Sequence, residues 1–184
     1  IKIYLFIVFI ALRVNLPAQA HTPYSKNNLM AELKVQYGFL ASHHLELDVF
    51  QSHFPAFEFS IEKATWGKSR WEVIYGYPIV GLSVWYSPLG GFDELGYAIA
   101  VYPFINFPIV KDEIQSFNFR LGAGLGYLSN YYHNKSNYRN FAIGSNINVA
   151  GSLYFEYRRK VSDMITLSAG IGLTHFSNGS MKTP

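Results

Sequence analysis

A histidine and a serine stand two residues apart in the stretch GIGLTHFSNGSMKTP, residues 170–184. On a β-strand, residues i and i+2 point to the same face and lie about 6.6 Å apart along the strand. At that spacing the imidazole of His175 can bridge to the hydroxyl of Ser177 and accept its proton. The pair matches the base and nucleophile of a serine hydrolase, a constellation recognised by geometry and not by chain order.

The pair also continues an apolar row. Every second position before it is occupied by an apolar residue, namely Ile165, Leu167, Ala169, Ile171 and Leu173. If this row faces lipid, the nucleophile points into the membrane, and a lipid can reach it sideways. The alternative interpretation is structural, with His175 and Ser177 lying among the lipid headgroups at the water end of a strand.

Six further segments alternate in the same way, one residue apolar and the next polar or small. With the last strand they cover residues 31–39, 57–62, 80–87, 95–101, 117–127, 148–158 and 165–174. Such segments are typical of transmembrane β-barrels. The less apolar face of these segments holds Gly, Ala, Ser and Asn with occasional Glu and Arg. This composition suits the crowded interior of a narrow barrel better than the water-exposed face of a soluble β-sandwich.

The sequence therefore predicts an all-β fold, an antiparallel transmembrane β-barrel over residues 21–184. An open sheet edge in lipid would leave backbone groups without partners, and single-chain bacterial barrels have even strand numbers. We expect eight strands in the complete barrel, about seven of them in this chain, with the last one following Pro184. Aromatic residues make up 17% of the chain and charged residues only 15%, against about 25% charged in soluble domains.

Residues 1–20 have the pattern of a secretory signal peptide. Lys2 precedes an apolar run from Ile3 to Leu12, and the segment ends Ala18-Gln19-Ala20, which predicts cleavage before His21. Without Lys2 and Arg13, thirteen basic and twelve acidic side chains remain, a formal net charge of +1. That balance argues against nucleic-acid binding, which needs a clustered basic surface.

Other motifs have structural interpretations. Gly122, Gly124 and Gly126 alternate within a strand, so we read them as relief of crowding on the inner face and not as a dinucleotide fingerprint. His43, His44 and His53 have no acidic or cysteine partner at a useful spacing, and we read them as loop residues and not as metal ligands.

The segment THFSNGSMKTP resembles the active-site segment of the lipid A 3-O-deacylase family, the PagL-like outer-membrane enzymes that are also called acyloxyacyl hydrolases. The pieces YGYPIVGLSVWY, YPFINFPI, FNFRLGAGLGYL and FAIGSNINVAGSLYFEYR are similar to members of Bacteroidetes type. The resemblance covers most of residues 30–184.

This resemblance implies a bacterial outer-membrane esterase that hydrolyses the acyl chain at position 3 of lipid A, without a metal or organic cofactor. His175 corresponds to the catalytic base and Ser177 to the nucleophile. Asn178 corresponds to the asparagine after the serine, in a loop-ordering or substrate-binding role. Lys182 is expected to meet a lipid A phosphate or to be a solvated turn residue. The histidine-orienting group and the oxyanion asparagine are expected after Pro184.

Two other classes of function stay open at this stage. One is a non-enzymatic outer-membrane barrel that acts as a structural or adhesin-like surface protein. The other is a soluble, lipocalin-like carrier. The acyl position, the substrate range and the oligomeric state are open as well.

Overall fold

The computed structural model describes residues 3–15, 29–41, 50 and 52–179. Eight antiparallel strands pair in sequence order, and the first pairs with the last to close a barrel. The strands are β1 (Ile3–Asn15), β2 (Leu29–Ala41), β3 (His53–Ala64), β4 (Ile79–Ser87), β5 (Ala98–Lys111), β6 (Gln115–Leu128), β7 (Ile147–Lys160) and β8 (Ile165–Ser177). The predicted all-β, antiparallel eight-stranded barrel is confirmed, and the described residues hold all eight strands, where about seven were expected.

Helical structure is scarce. Helix α1 spans Arg70–Ile74, and a single 3₁₀ turn covers Leu89–Gly91. None of the helices within the described residues is long and apolar enough to cross a membrane.

The seven alternating segments form β2 to β8, and the alternation separates two faces. Outward residues of each strand form an outer row that is largely apolar and exposed, as with Val35 at 52% and Leu121 at 50%. Inward residues form an inner row that is buried. An apolar outer surface over a packed polar interior is the arrangement expected of a barrel that lies in the outer membrane.

The eighth strand, β1, lies within the segment that the sequence predicts as a signal peptide. It pairs with β2 on one side and with β8 on the other. Its inner row is apolar at Leu5, Ile7, Phe9 and Ala11, unlike the polar inner rows of its neighbours. Signal-peptide cleavage is a processing step that the fold does not test, and the His21 site lies outside the described residues. Cleavage stays a prediction, as does a further strand after Pro184.

Half of the barrel interior is filled by a network of buried charges. Arg120 contacts the carboxylates of Glu58 and Glu32, and its guanidinium lies 3.5 Å from the ring centre of Phe104. Arg158 contacts three glutamates at 2.7 to 3.2 Å: Glu32, Glu62 and Glu156. Lys34 pairs with Glu32 and Glu156. Arg13 of β1 lies 3.6 Å from Glu62, and with it four cations face the four glutamates, as buried charges require.

The other half of the interior is apolar. Trp85, Leu128, Ala150 and Phe176 are fully buried there, in one cluster with residues from the connecting loops. The glycines of β6 sit against this filling, since a Cβ at Gly126 would lie 2.6 Å from the Phe176 ring and one at Gly122 would meet Tyr102. The expected role of these glycines in relieving inner-face crowding is confirmed.

The two ends of the barrel differ in their connections. At the end of β8 that carries His175 and Ser177, the connections are residues 42–52, 88–97 and 129–146. At the opposite end, 112–114 and 161–164 are tight turns, shorter than any connection between the described strands at the first end, while 16–28 and 65–78 are longer. Outer-membrane barrels have short periplasmic turns and longer extracellular loops. We therefore call these the outer end and the periplasmic end.

The buried network predicts the effect of removing one cation. Arg120→Ala leaves Glu58 and Glu32 short of a partner, and we expect the free energy of unfolding to fall by about 3–5 kcal/mol. Arg139→Ala is the control, because this side chain is 69% exposed and lies 3.9 Å from Glu94. We expect a change within about 0.5 kcal/mol there. Urea unfolding in lipid vesicles measures both, and equal effects would contradict the account.

The leader prediction has a direct test. We expect the protein isolated from outer membranes to begin at His21, and N-terminal sequencing or intact mass reads this out. Ala18→Glu is the control, because a charged residue blocks the small-residue cleavage pattern. An isolated barrel that retains residues 1–20 would show instead that β1 is a permanent strand.

Candidate active site

His175 and Ser177 lie at the outer end of β8, on its outer row. Both are half-buried, whereas Thr174 and Phe176 between and beside them are fully buried on the inner face. The predicted direction of the two side chains is therefore confirmed. The His175 imidazole and the Ser177 hydroxyl continue the row of Ile171 and Leu173 on the outside of the barrel. The strand spacing separates them by about 6.6 Å along the axis.

The inner neighbours hold this end of β8 in place. The Phe176 ring packs against Trp85, with ring centres 5.6 Å apart. Asn178 is also buried, and its amide donates a 3.1 Å hydrogen bond to Ser145 Oγ in the 129–146 connection. The carboxamide thus ties β8 to the long outer loop, which favours the loop-ordering alternative for Asn178.

A backbone N–H lies beside Ser177. The N–H of Gly179 donates a 3.1 Å hydrogen bond to Ser177 Oγ. Gly179 has a φ of +63°, a backbone conformation that favours glycine. This local turn holds the serine hydroxyl in one direction.

Gly151 leaves an opening in the wall beside the histidine. It lies on the outer row of β7, directly opposite His175 across the β7–β8 pair. A Cβ built on Gly151 meets nothing within 4 Å, in contrast to the crowded inner glycines. The neighbours in its row, Val149 and Leu153, are larger. The outer surface of the barrel therefore has the least side-chain bulk directly beside the His175 imidazole.

An apolar groove begins one row below the histidine. It has a volume of about 890 Å³; one side is lined by Leu173, Ile171, Leu153 and Phe155, and the other by residues 7–10 of β1 and 35–39 of β2. Pockets of roughly 300–1,000 Å³ hold small ligands. Because Leu173 is two residues before His175 on the same row, the groove can seat a hydrocarbon chain whose end reaches the base.

Two other sets of polar side chains are candidates. The four lumen glutamates belong to the inner face and are held in the charge network. His53, expected in a loop, instead begins β3; its ring packs between those of Tyr37 and Phe39 and lines the far side of the same apolar groove. His43, His44 and Lys182 lie outside the described residues. No cluster of three metal-ligating side chains occurs within the part of the chain that the structure describes.

Comparison with known proteins decides the family. The family model of lipid A 3-O-deacylase (PagL) matches residues 55–184, well over half of the chain. The chain belongs to the lipid A 3-O-deacylase family. Neither the curated proteins nor the solved structures contain a match to this chain. The matched range includes β4 to β8 entirely and with them both residues of the His/Ser pair.

The family assignment confirms the suspected resemblance and supports a lipid A deacylase located in the outer membrane. Lipid A is the substrate class that the family description names. Sequence reasoning missed Gly151 and Phe176. The signal for Gly151 was a gap in the apolar row of β7 at that position, but its place beside His175 follows only from strand pairing.

The opening at Gly151 predicts a steric effect. Gly151→Leu fills the space beside His175, and we expect release of the acyl chain from lipid A to slow by about tenfold, since misplacing bound substrate by about 1 Å can cost more than that. Labelling of Ser177 by a small fluorophosphonate should be unchanged. Ala169→Leu, on the exposed outer row of β8 below the groove, is the control. An unchanged rate in Gly151→Leu would show that substrate does not approach over β7.

Proposed function

We propose that this protein is an outer-membrane serine esterase that removes the 3-O-linked hydroxyacyl chain from lipid A. The observation that supports it best is the outward position of His175 and Ser177 on β8, at the end of the barrel with the long loops. Lipid A occupies the outer leaflet, so its ester can approach this wall sideways.

In the proposed mechanism, His175 accepts the Ser177 proton as Oγ attacks the ester carbonyl. The bond between the carbonyl carbon and the sugar oxygen breaks, and that oxygen takes the proton from the imidazolium. Water entering from the headgroup side is then activated by His175 and hydrolyses the acyl-enzyme. The products are a 3-hydroxy fatty acid and lipid A with one free hydroxyl.

Three surrounding features support this chemistry. The groove lined by Leu173 and Ile171 seats the acyl chain, and the opening at Gly151 admits the ester. The Gly179 N–H donates to Ser177 Oγ at 3.1 Å, which fixes the direction of that hydroxyl oxygen. Lys182 is proposed to meet a lipid A phosphate. None of these steps calls on a metal or an organic cofactor.

The test is mass spectrometry of lipid A from cells that express the gene. We expect wild type to lose the mass of one hydroxyacyl chain, and Ser177→Ala and His175→Ala to leave lipid A unmodified while the barrel still folds. Ser116→Ala, a serine at the periplasmic end, is the matched control and should behave as wild type. Unmodified lipid A in wild type, with the barrel in the outer membrane, would support the non-enzymatic alternative.

A further inference from the structure

The connection between β3 and β4, residues 65–78, carries an unusual density of exposed apolar side chains; we call it the interface segment. Six large side chains in it are between 38% and 64% exposed: Trp66, Trp71, Val73, Ile74, Tyr75 and Tyr77. It lies at the periplasmic end, opposite the candidate active site. Tryptophan and tyrosine concentrate where a membrane meets water.

The segment is folded and not a loose loop. Glu72, which is buried, accepts 2.8 Å hydrogen bonds from the backbone N–H groups of Gly67 and Lys68. The N–H of Tyr77 donates to the carbonyl of Glu72 at 2.7 Å. Thr65 Oγ1 donates to the Pro78 carbonyl, closing the base of the connection. The aromatic side chains are therefore presented by a fixed backbone.

The segment lies against the outside of the barrel. The Tyr75 ring meets Phe107 edge to face, with ring centres 5.5 Å apart. Phe107 belongs to the outer row of β5, the row that continues to Ile99 and Val101. Lys111 Nζ donates a 2.7 Å hydrogen bond to the Gly76 carbonyl and lies over the Tyr77 ring. The exposed apolar surface is thus continuous with the lipid-facing wall.

The exposed charges of the segment are positive. Lys68 and Arg70 are exposed, as is Lys63 at the end of β3, while Glu72 is engaged by the segment's own backbone. The nearest turn, 112–114, carries two exposed acidic side chains, Asp112 and Glu113, and the Asp112 carboxylate accepts hydrogen bonds from the backbone N–H groups of Ile114 and Gln115. Aromatic rings with flanking basic side chains match a phospholipid surface with anionic headgroups.

We propose that the interface segment is a phospholipid-binding element that inserts its aromatic side chains at the membrane surface and holds anionic headgroups with Lys68 and Arg70. Its placement in the periplasmic leaflet rests on the proposed function, which puts the opposite end at the cell surface. The binding itself does not depend on catalysis.

The three tryptophans provide the test. Trp66 and Trp71 lie in the segment, whereas Trp85 is fully buried inside the barrel and donates to Gln36. The full chain is refolded into phosphatidylcholine vesicles with lipid brominated at the headgroup end of the acyl chains. We expect strong quenching of wild-type emission and nearly none in Trp66→Phe/Trp71→Phe, which reports Trp85 alone. Unquenched Trp66 and Trp71, open to aqueous iodide, would overturn the proposal and point to a periplasmic partner.

A second measurement tests the headgroup. With brominated phosphatidylglycerol at the same mole fraction, we expect quenching to be about twofold stronger than with brominated phosphatidylcholine, because basic residues concentrate anionic lipid. Lys68→Glu/Arg70→Glu should remove the difference, and Arg139→Glu at the outer end should keep it. Equal quenching by the two lipids would overturn the anionic preference. Lipid A modification by these variants is unaffected in either case, so a failed esterase and a failed lipid site are told apart.

Discussion

Within lipid, backbone N–H and C=O groups find no water, so a sheet that crosses a membrane has to close on itself. Closure with eight strands leaves an interior only wide enough for side chains. The inner rows accordingly fill the interior with paired charges and with an apolar cluster around Trp85 and Phe176. Among the charges, the single side chain of Arg158 contacts three glutamates. A substrate has no room in such an interior, and chemistry on a lipid has to take place on the outside wall.

Because side chains alternate along β8, its inner face packs against the barrel interior while its outer face carries the His/Ser pair. Phe176 and Asn178 point inward, where packing on Trp85 and the bond to Ser145 fix the end of the strand. His175 and Ser177 point outward from that fixed support. Side chains that carry out a reaction need such rigid backing, because small displacements of the reacting atoms slow the chemistry. In the proposed function, the groove below and the opening at Gly151 let an acyl ester reach the same wall.

Alternation along single strands was sufficient to predict β2 to β8 and the outward direction of the His/Ser pair. It did not predict β1, because Leu5, Ile7 and Phe9 make its inner face as apolar as its outer one. The opening beside His175 depends on which residue of β7 pairs with it, and pairing register is set between strands. The interface segment was missed because a helix of five residues, Arg70–Ile74, is too short to show a period. The charge pairs of the lumen likewise join residues far apart in the chain, such as Arg120 and Glu32.

The central claim is that Ser177 is a nucleophile that faces lipid and is activated by His175. Its most direct measurement is covalent trapping in lipid vesicles with a fluorophosphonate that carries a long alkyl chain, followed by peptide mapping. We expect one adduct, on Ser177, which is lost in Ser177→Ala and strongly reduced in His175→Ala. An adduct on another residue, labelling that is indifferent to His175, or no adduct in a folded barrel would contradict it.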